Sequence, residues 1–145
     1  MKYGFQELEP FDPADLDALN GVWETGDGAV DSSVPAYLYV VLEMIYAQLG
    51  GRYELSCAKS IMEVTDEMSK VWHTDGDNPD DPDTKYTVLI YRCHSAPLQI
   101  DAGDVRIEID PYPGRVIVID NTQRNIVHRC RPGNEPRSYV KVTLK

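Results

Sequence analysis

The sequence predicts a mainly β fold, a sandwich or barrel, with helices at its N-terminal end. Three observations predict it. After Gly51, about eight short segments rich in β-branched and aromatic residues follow one another, separated by turn signals. Among them Val105, Ile107 and Ile109 alternate with Arg106, Glu108 and Asp110, the pattern of a half-buried strand. Before Gly51 the apolar residues instead recur at helical spacing. The 145 residues are expected to form one domain over 1–145, with residues 1–52 as helical support and 53–145 as the β core.

The first fifty residues read as helical. Asp12 is placed to cap a helix that starts at Pro13, with Asp15 in its acid-favouring first turn. Leu16, Leu19 and Trp23 then fall on one face. Gly26-Asp27-Gly28 breaks the pattern. A second helix is expected from Pro35 to Gly50-Gly51, with Leu38, Val41, Leu42, Ile45 and Leu49 as its apolar stripe against a sheet. Strands are expected over residues 53–64, 68–75, 85–93, 98–100, 105–110, 115–120, 126–130 and 137–144. Pro113-Gly114 opens the sixth of these. The stretch from Asp75 to Asp83 holds three further aspartates and two prolines between its ends and reads as an acidic loop.

The bulk properties exclude several classes. A net charge of −10 argues against nucleic-acid binding, which needs clustered Lys and Arg. No apolar run is long enough to span a bilayer, and the N-terminus lacks the apolar segment of a signal peptide, so no membrane association is expected. Cys57, Cys93 and Cys130 are odd in number and widely spaced, which fits reduced thiols in a cytoplasmic protein.

Two short histidine motifs carry the chemistry. His73-Thr74-Asp75 comes first, and His128 lies 53 residues beyond Asp75. On a strand, side chains two apart point to the same face, so His73 and Asp75 would share one cavity if the strand persists to Asp75. His128 sits on a distant strand, and bringing it to the same cavity requires the sheet to roll up, as a jelly roll does. Two histidines and one carboxylate form a facial triad with open positions, a set suited to non-haem Fe(II). A lone His-x-Asp has little specificity. His94, also near a strand end, is assigned no role. The order and strand context of His73, Asp75 and His128 set them apart, together with the arginine that follows.

That arginine is Arg137, nine residues after His128, at the start of the last expected strand. Tyr139, Lys141 and Thr143 share its face. A buried arginine is costly unless paired, and residues 137–144 contain no carboxylate. A ligand carboxylate would satisfy it through a bidentate fork; a nearby aspartate or water at the barrel mouth would serve equally well.

Together these residues form an ordered series. His73-Thr74-Asp75 is followed by Thr87-Val88-Leu89-Ile90-Tyr91, then Pro111-Tyr112-Pro113-Gly114 leading into 115–120, then His128 and Arg137. Roughly the C-terminal half of the chain, residues 68–144, thereby resembles the Fe(II)- and 2-oxoglutarate-dependent oxygenases, nearest to the prolyl-hydroxylase-like branch. The resemblance implies a double-stranded β-helix, a cupin-like jelly roll, with the helices packed on one sheet. It implies Fe(II) on His73, Asp75 and His128, and 2-oxoglutarate as co-substrate paired with Arg137 and Tyr91. It also implies that Leu89, Leu98, Cys130 and Thr143 line the co-substrate pocket. Two departures stand out: Ser95-Ala96-Pro97-Leu98-Gln99-Ile100 replaces a Gly-Gly-Glu-Thr-like segment, and Tyr91-Arg92-Cys93 replaces Tyr-Leu-Asn.

The implied activity is a dioxygenase that uses O2 and 2-oxoglutarate to hydroxylate an unactivated C–H bond, releasing succinate and CO2. The substrate, a protein side chain or a small molecule, is not legible, and peptidyl proline is not implied. Two alternatives stay open: a cupin-like metalloenzyme that does not use 2-oxoglutarate, and a non-enzymatic jelly-roll binding module. The loop over residues 76–83 directly follows two proposed ligands and is expected to border the open face of the iron, where it would favour neutral or basic groups or act as a solvated connector.

Overall fold

A computed structural model describes residues 1–26, 29–30, 34–64, 70–77, 83–133 and 136–145. The acidic loop therefore falls largely outside the described residues, as does Met68.

Helix α1 spans Pro13–Ala18. Its start is built as expected: the Asp12 carboxylate accepts from the Asp15 backbone N–H at 3.0 Å, and the Asp15 carboxylate accepts from the Asp12 N–H at 3.2 Å. This reciprocal pair satisfies two otherwise orphaned donors. The helix is shorter than the apolar spacing suggests. Gly21 at φ +99° lies in the turn that follows, and Trp23 belongs to strand β2 (Trp23–Gly26). Leu16, Leu19 and Trp23 nevertheless enter the same core, and the Trp23 indole donates to the Leu19 carbonyl at 3.0 Å. Helix α2 spans Tyr37–Leu49 and ends at Gly50 in the left-handed conformation. Its Leu38, Val41, Leu42 and Ile45 are buried.

The first fifty residues are thus not purely helical. Strand β1 (Phe5–Leu8), strand β2 and strand β3 (Ala29–Val30) all arise there. Each is short, and β1 finds its partner more than a hundred residues away, with Phe5 opposite Ile119 and Leu8 opposite Val116. Local periodicity carries no trace of such a pairing.

The remaining strands are β4 (Leu55–Val64), β5 (Tyr86–Tyr91), β6 (Leu98–Asp101), β7 (Arg106–Ile109), β8 (Val116–Asp120), β9 (Val127–Cys130) and β10 (Arg137–Leu144). They form two antiparallel sheets, one in the order β1-β8-β5-β10-β4-β2-β3 and the other β7-β6-β9. Period-two alternation sorts their side chains into two cores. Val88, Ile90, Val116, Val118, Val140, Val142 and Leu144 leave the larger sheet on one face and pack with the residues of α1 and α2. Tyr91, Ile117, Ile119 and Tyr139 leave the opposite face and meet Leu98, Ile100 and Ile109 of the smaller sheet. This is the mainly β jelly roll with helices packed on one sheet. No helix among the described residues is long and apolar enough to cross a membrane.

One expected strand is absent in the described part of its range. Over residues 70–77 the only ladder contact is a single bridge between His73 and His128, and Asp75–Asp77 forms a 3-10 turn. The strand does not persist to Asp75, so two-residue alternation is not what brings His73 and Asp75 together. A turn just after the bridge does so instead.

The Pro113-Gly114 turn before β8 has a strict requirement. Gly114 sits at φ +94°, and a Cβ built there would lie 2.1 Å from the Phe11 carbonyl oxygen. The Gly114 N–H donates to the Tyr91 carbonyl and its own carbonyl accepts from the Phe11 N–H. Gly114→Ala is expected to destabilise the fold by more than the ~1–3 kcal/mol of a left-handed backbone alone, because the overlap is with fixed backbone. A thermal or urea midpoint equal to that of the parent would refute this.

Candidate metal centre

Between the two sheets, side chains from β5, β6, β9 and β10 and from the segment after the His73 bridge close around one pocket. It holds about 500 Å³ of free space, part of it open to solvent. His73, Asp75, Leu89, Tyr91, Leu98, His128, Cys130 and Arg137 line it, so eight of the nine residues anticipated from sequence meet here. Thr143 does not. It is buried further along β10, opposite Cys57 and Thr87, where its hydroxyl donates to the Cys57 carbonyl at 3.2 Å. Its place on the Arg137 face was legible, but that face runs past the end of the pocket.

The three metal-type donors converge. One atom each from His73, Asp75 and His128 lies within 4.8 Å of the others. His73 Nε2 is 3.5 Å from Asp75 Oδ1, and His128 Nε2 is 3.9 Å from Asp75 Oδ2. The imidazole rings are 4.5 Å apart, centre to centre. The backbone sets this closeness: His73 and His128 exchange both N–H···O bonds, at 3.0 and 2.9 Å. His73 Nδ1 is 2.6 Å from the Val71 carbonyl. A carbonyl can only accept, so Nδ1 carries a proton in either state of the ring, and in the neutral ring Nε2 offers its lone pair to the cavity.

Electrostatics prepare the site unevenly. Burial pushes His128 down to about 4, with His73 and Lys141 acting in the same direction and Asp75 opposing, so its imidazole is neutral at neutral pH. The hydrogen bond to Asp75 raises His73 above the ordinary histidine range, against an opposing effect of burial. Burial alone would raise Asp75, but His73, Lys141, His128 and Thr87 outweigh it and hold its carboxyl well below the usual carboxylate range. A metal bound by these three donors would therefore have to displace a proton from His73 first. Apparent metal affinity is expected to fall about tenfold per pH unit once the pH drops below the raised His73 value. A second proton should enter only as the pH approaches that of His128. Metal titrations between pH 8 and 5 with no dependence on pH would exclude His73 as a ligand.

Around the triad the pocket is cationic on one side and aromatic beyond. Lys141 Nζ is 3.8 Å from Asp75 Oδ2, and its side chain is about a quarter exposed, so their attraction is partly screened. The buried Arg137 guanidinium lies over the Tyr139 ring at 5.7 Å, and the Tyr139 and Tyr91 rings are 6.3 Å apart. Burial, then Tyr139 and Cys130, raise the Tyr91 phenol above its ordinary value, so it is a hydrogen-bond donor at any physiological pH. Lys141 and Tyr139 went unassigned in the sequence although both share the face of Arg137. Thr87 also went unassigned, although it opens the Thr-x-x-x-Tyr segment. Ala96, from the departing 95–100 segment, completes the wall.

The other departure has a structural account. Arg92 points away from the pocket, and its guanidinium donates to the Leu19 carbonyl at 2.5 Å and to Ser60 Oγ at 2.7 Å. It ties the α1 end to the back of the larger sheet.

No protein-family model matches this chain, and no curated protein matches it in sequence. Solved structures do match in fold. One is a Pseudomonas putida prolyl-4-hydroxylase, with a TM-score of 0.62 at 15% identity over 99% of this chain and 93% of that one. Another is a prolyl hydroxylase from Trichoplax adhaerens in complex with a hypoxia inducible factor oxygen degradation domain peptide fragment. Its TM-score is 0.64 at 14% identity, over 98% of this chain and 83% of that one.

Proposed function

On a fold shared with solved prolyl hydroxylases, we propose that this chain is an Fe(II)- and 2-oxoglutarate-dependent dioxygenase, formed by residues 1–145 as one oxygenase domain. The observation that carries the reading is the meeting, in one pocket, of a His-Asp-His donor set with a buried arginine and a tyrosine whose phenol keeps its proton. The donor set fits Fe(II): two neutral-capable imidazoles and an ionised carboxylate, with the His73 tautomer already directed to the cavity. Fe(II) would be held by His73, Asp75 and His128. Bound with 2-oxoglutarate, it would supply the oxidative chemistry, in which O2 is consumed, 2-oxoglutarate leaves as succinate and CO2, and a substrate C–H bond is hydroxylated.

The chain's own residues have separate tasks. Arg137 and the Tyr91 hydroxyl would fix the far carboxylate of 2-oxoglutarate, the first by charge and the second by a hydrogen bond. Leu89, Leu98, Ala96 and Cys130 would keep the wall between them dry. Thr143 sits outside this wall, in the sheet interior. The substrate would be a protein side chain or a small molecule. The three cysteines are free thiols, which fits a cytoplasmic setting.

The test is direct. Purified protein with Fe(II), ascorbate and 2-oxoglutarate in air is expected to release succinate, slowly even without substrate. No turnover, and no binding of 2-oxoglutarate to the Mn(II)-loaded protein, would favour a cupin-like enzyme of other chemistry.

A further inference from the structure

Asp75 lies in a turn, not on a strand, yet its carboxylate is anchored to the larger sheet. Thr87 Oγ1 donates to Asp75 Oδ2 at 2.6 Å. Asn121 Nδ2 in turn donates to Thr87 Oγ1 at 2.8 Å. The polarity of this chain is determined by chemistry. An ionised carboxylate only accepts, so the Thr87 hydroxyl proton points to Asp75 and the Thr87 oxygen accepts from the Asn121 amide N–H.

Both supporting residues belong to the rigid part of the molecule. Thr87 is 1% exposed and sits on β5 opposite Ile119 of β8; Asn121 is 2% exposed at the end of β8. The Asn121 backbone N–H is itself bonded to the Lys85 carbonyl at 2.8 Å. The larger sheet thus reaches into the cavity and grips Oδ2, the oxygen that also faces His128 Nε2 and Lys141 Nζ, while Oδ1 lies on the side of His73 Nε2.

We infer that Thr87 and Asn121 are positioning residues for the metal: by holding Asp75 Oδ2 they fix the orientation in which the carboxylate faces the two imidazoles, with Oδ1 towards His73 and Oδ2 towards His128. This rests on the reading of Asp75 as a metal ligand. A buried hydroxyl and amide that merely satisfy one another would be bonded without affecting what the carboxylate binds.

The experiment measures Mn(II) affinity by competition with an indicator dye, and the visible absorption of the Co(II)-saturated protein, for the full chain and three variants. Thr87→Val, nearly isosteric and without a donor, is expected to weaken Mn(II) about 10–100-fold and to shift the Co(II) bands as the carboxylate turns. Thr87→Ser, which restores the hydroxyl, should return both towards the parent. Asn121→Leu should change both in the same direction by less, because Thr87 keeps its proton but loses its orientation. Parent affinity and parent Co(II) bands in Thr87→Val would overturn the inference while leaving the metal site intact. Failure of the parent to bind Mn(II) would overturn the metal reading and the inference with it. If Thr87→Val does not fold, Asn121→Leu decides: unchanged affinity and bands sink the proposal, and a loss with shifted bands supports it.

Discussion

Replacing His128 by alanine is expected to abolish tight binding of Fe(II), or of Mn(II) as a redox-quiet substitute, while the sheets stay folded. A three-donor site has no spare ligand, so the loss should exceed the ~10–100-fold cost of disturbing an outer-shell partner. His128 is buried and held neutral, which makes it a ready donor and a poor surface residue. His73→Ala should behave alike. Circular dichroism would establish that both variants fold, and calorimetric titration would read the metal. If either binds Mn(II) as tightly as the parent, that histidine is not a ligand; retention by both and by Asp75→Ala would end the metal reading.

The second large effect separates co-substrate from metal. Arg137→Ala is expected to weaken 2-oxoglutarate binding to the Mn(II)-loaded protein and leave Mn(II) affinity nearly unchanged. Removing one partner of a desolvated charge pair costs roughly 2–5 kcal/mol. Tyr91→Phe removes only a hydrogen bond to a charged group, about 1.5–3 kcal/mol, and should be the milder change. Equal or reversed losses would show that the carboxylate is not seated on Arg137. Loss of metal in Arg137→Ala would mean that the arginine supports the triad instead.

How far the sequence reveals this molecule can be read from particular residues. The last strand is legible to the residue, 137–144, because its alternation is long and Val140, Val142 and Leu144 make one face apolar. α2 is legible because its stripe ends in a glycine that can adopt the left-handed cap. β1 was not, since four residues with two apolar ends have meaning only beside β8. The site was legible as a set of types and spacings: His73, Asp75, His128, Arg137 and Tyr91 do share a pocket. The means by which they meet was not. Asp75 arrives on a turn held by Thr87, and a sheet-borne hydroxyl that grips a carboxylate looks in the sequence like any strand threonine.

The one-rung bridge between His73 and His128 has a dynamic consequence. Among the described residues, two backbone hydrogen bonds are all that the ladder supplies between these segments, at the open edge of the smaller sheet. A rung so isolated opens at a lower free-energy cost than one inside a ladder, because among the described residues no neighbouring backbone pair must break with it; beside it, Arg129 stacks on Trp72 and joins the two segments. An ion bound by both imidazoles would cross-link the same two residues through their side chains. The amide hydrogens of His73 and His128 should then exchange with solvent together, fast without metal and slowly with it, making this pair of N–H groups a reporter of occupancy at the edge of the sheet.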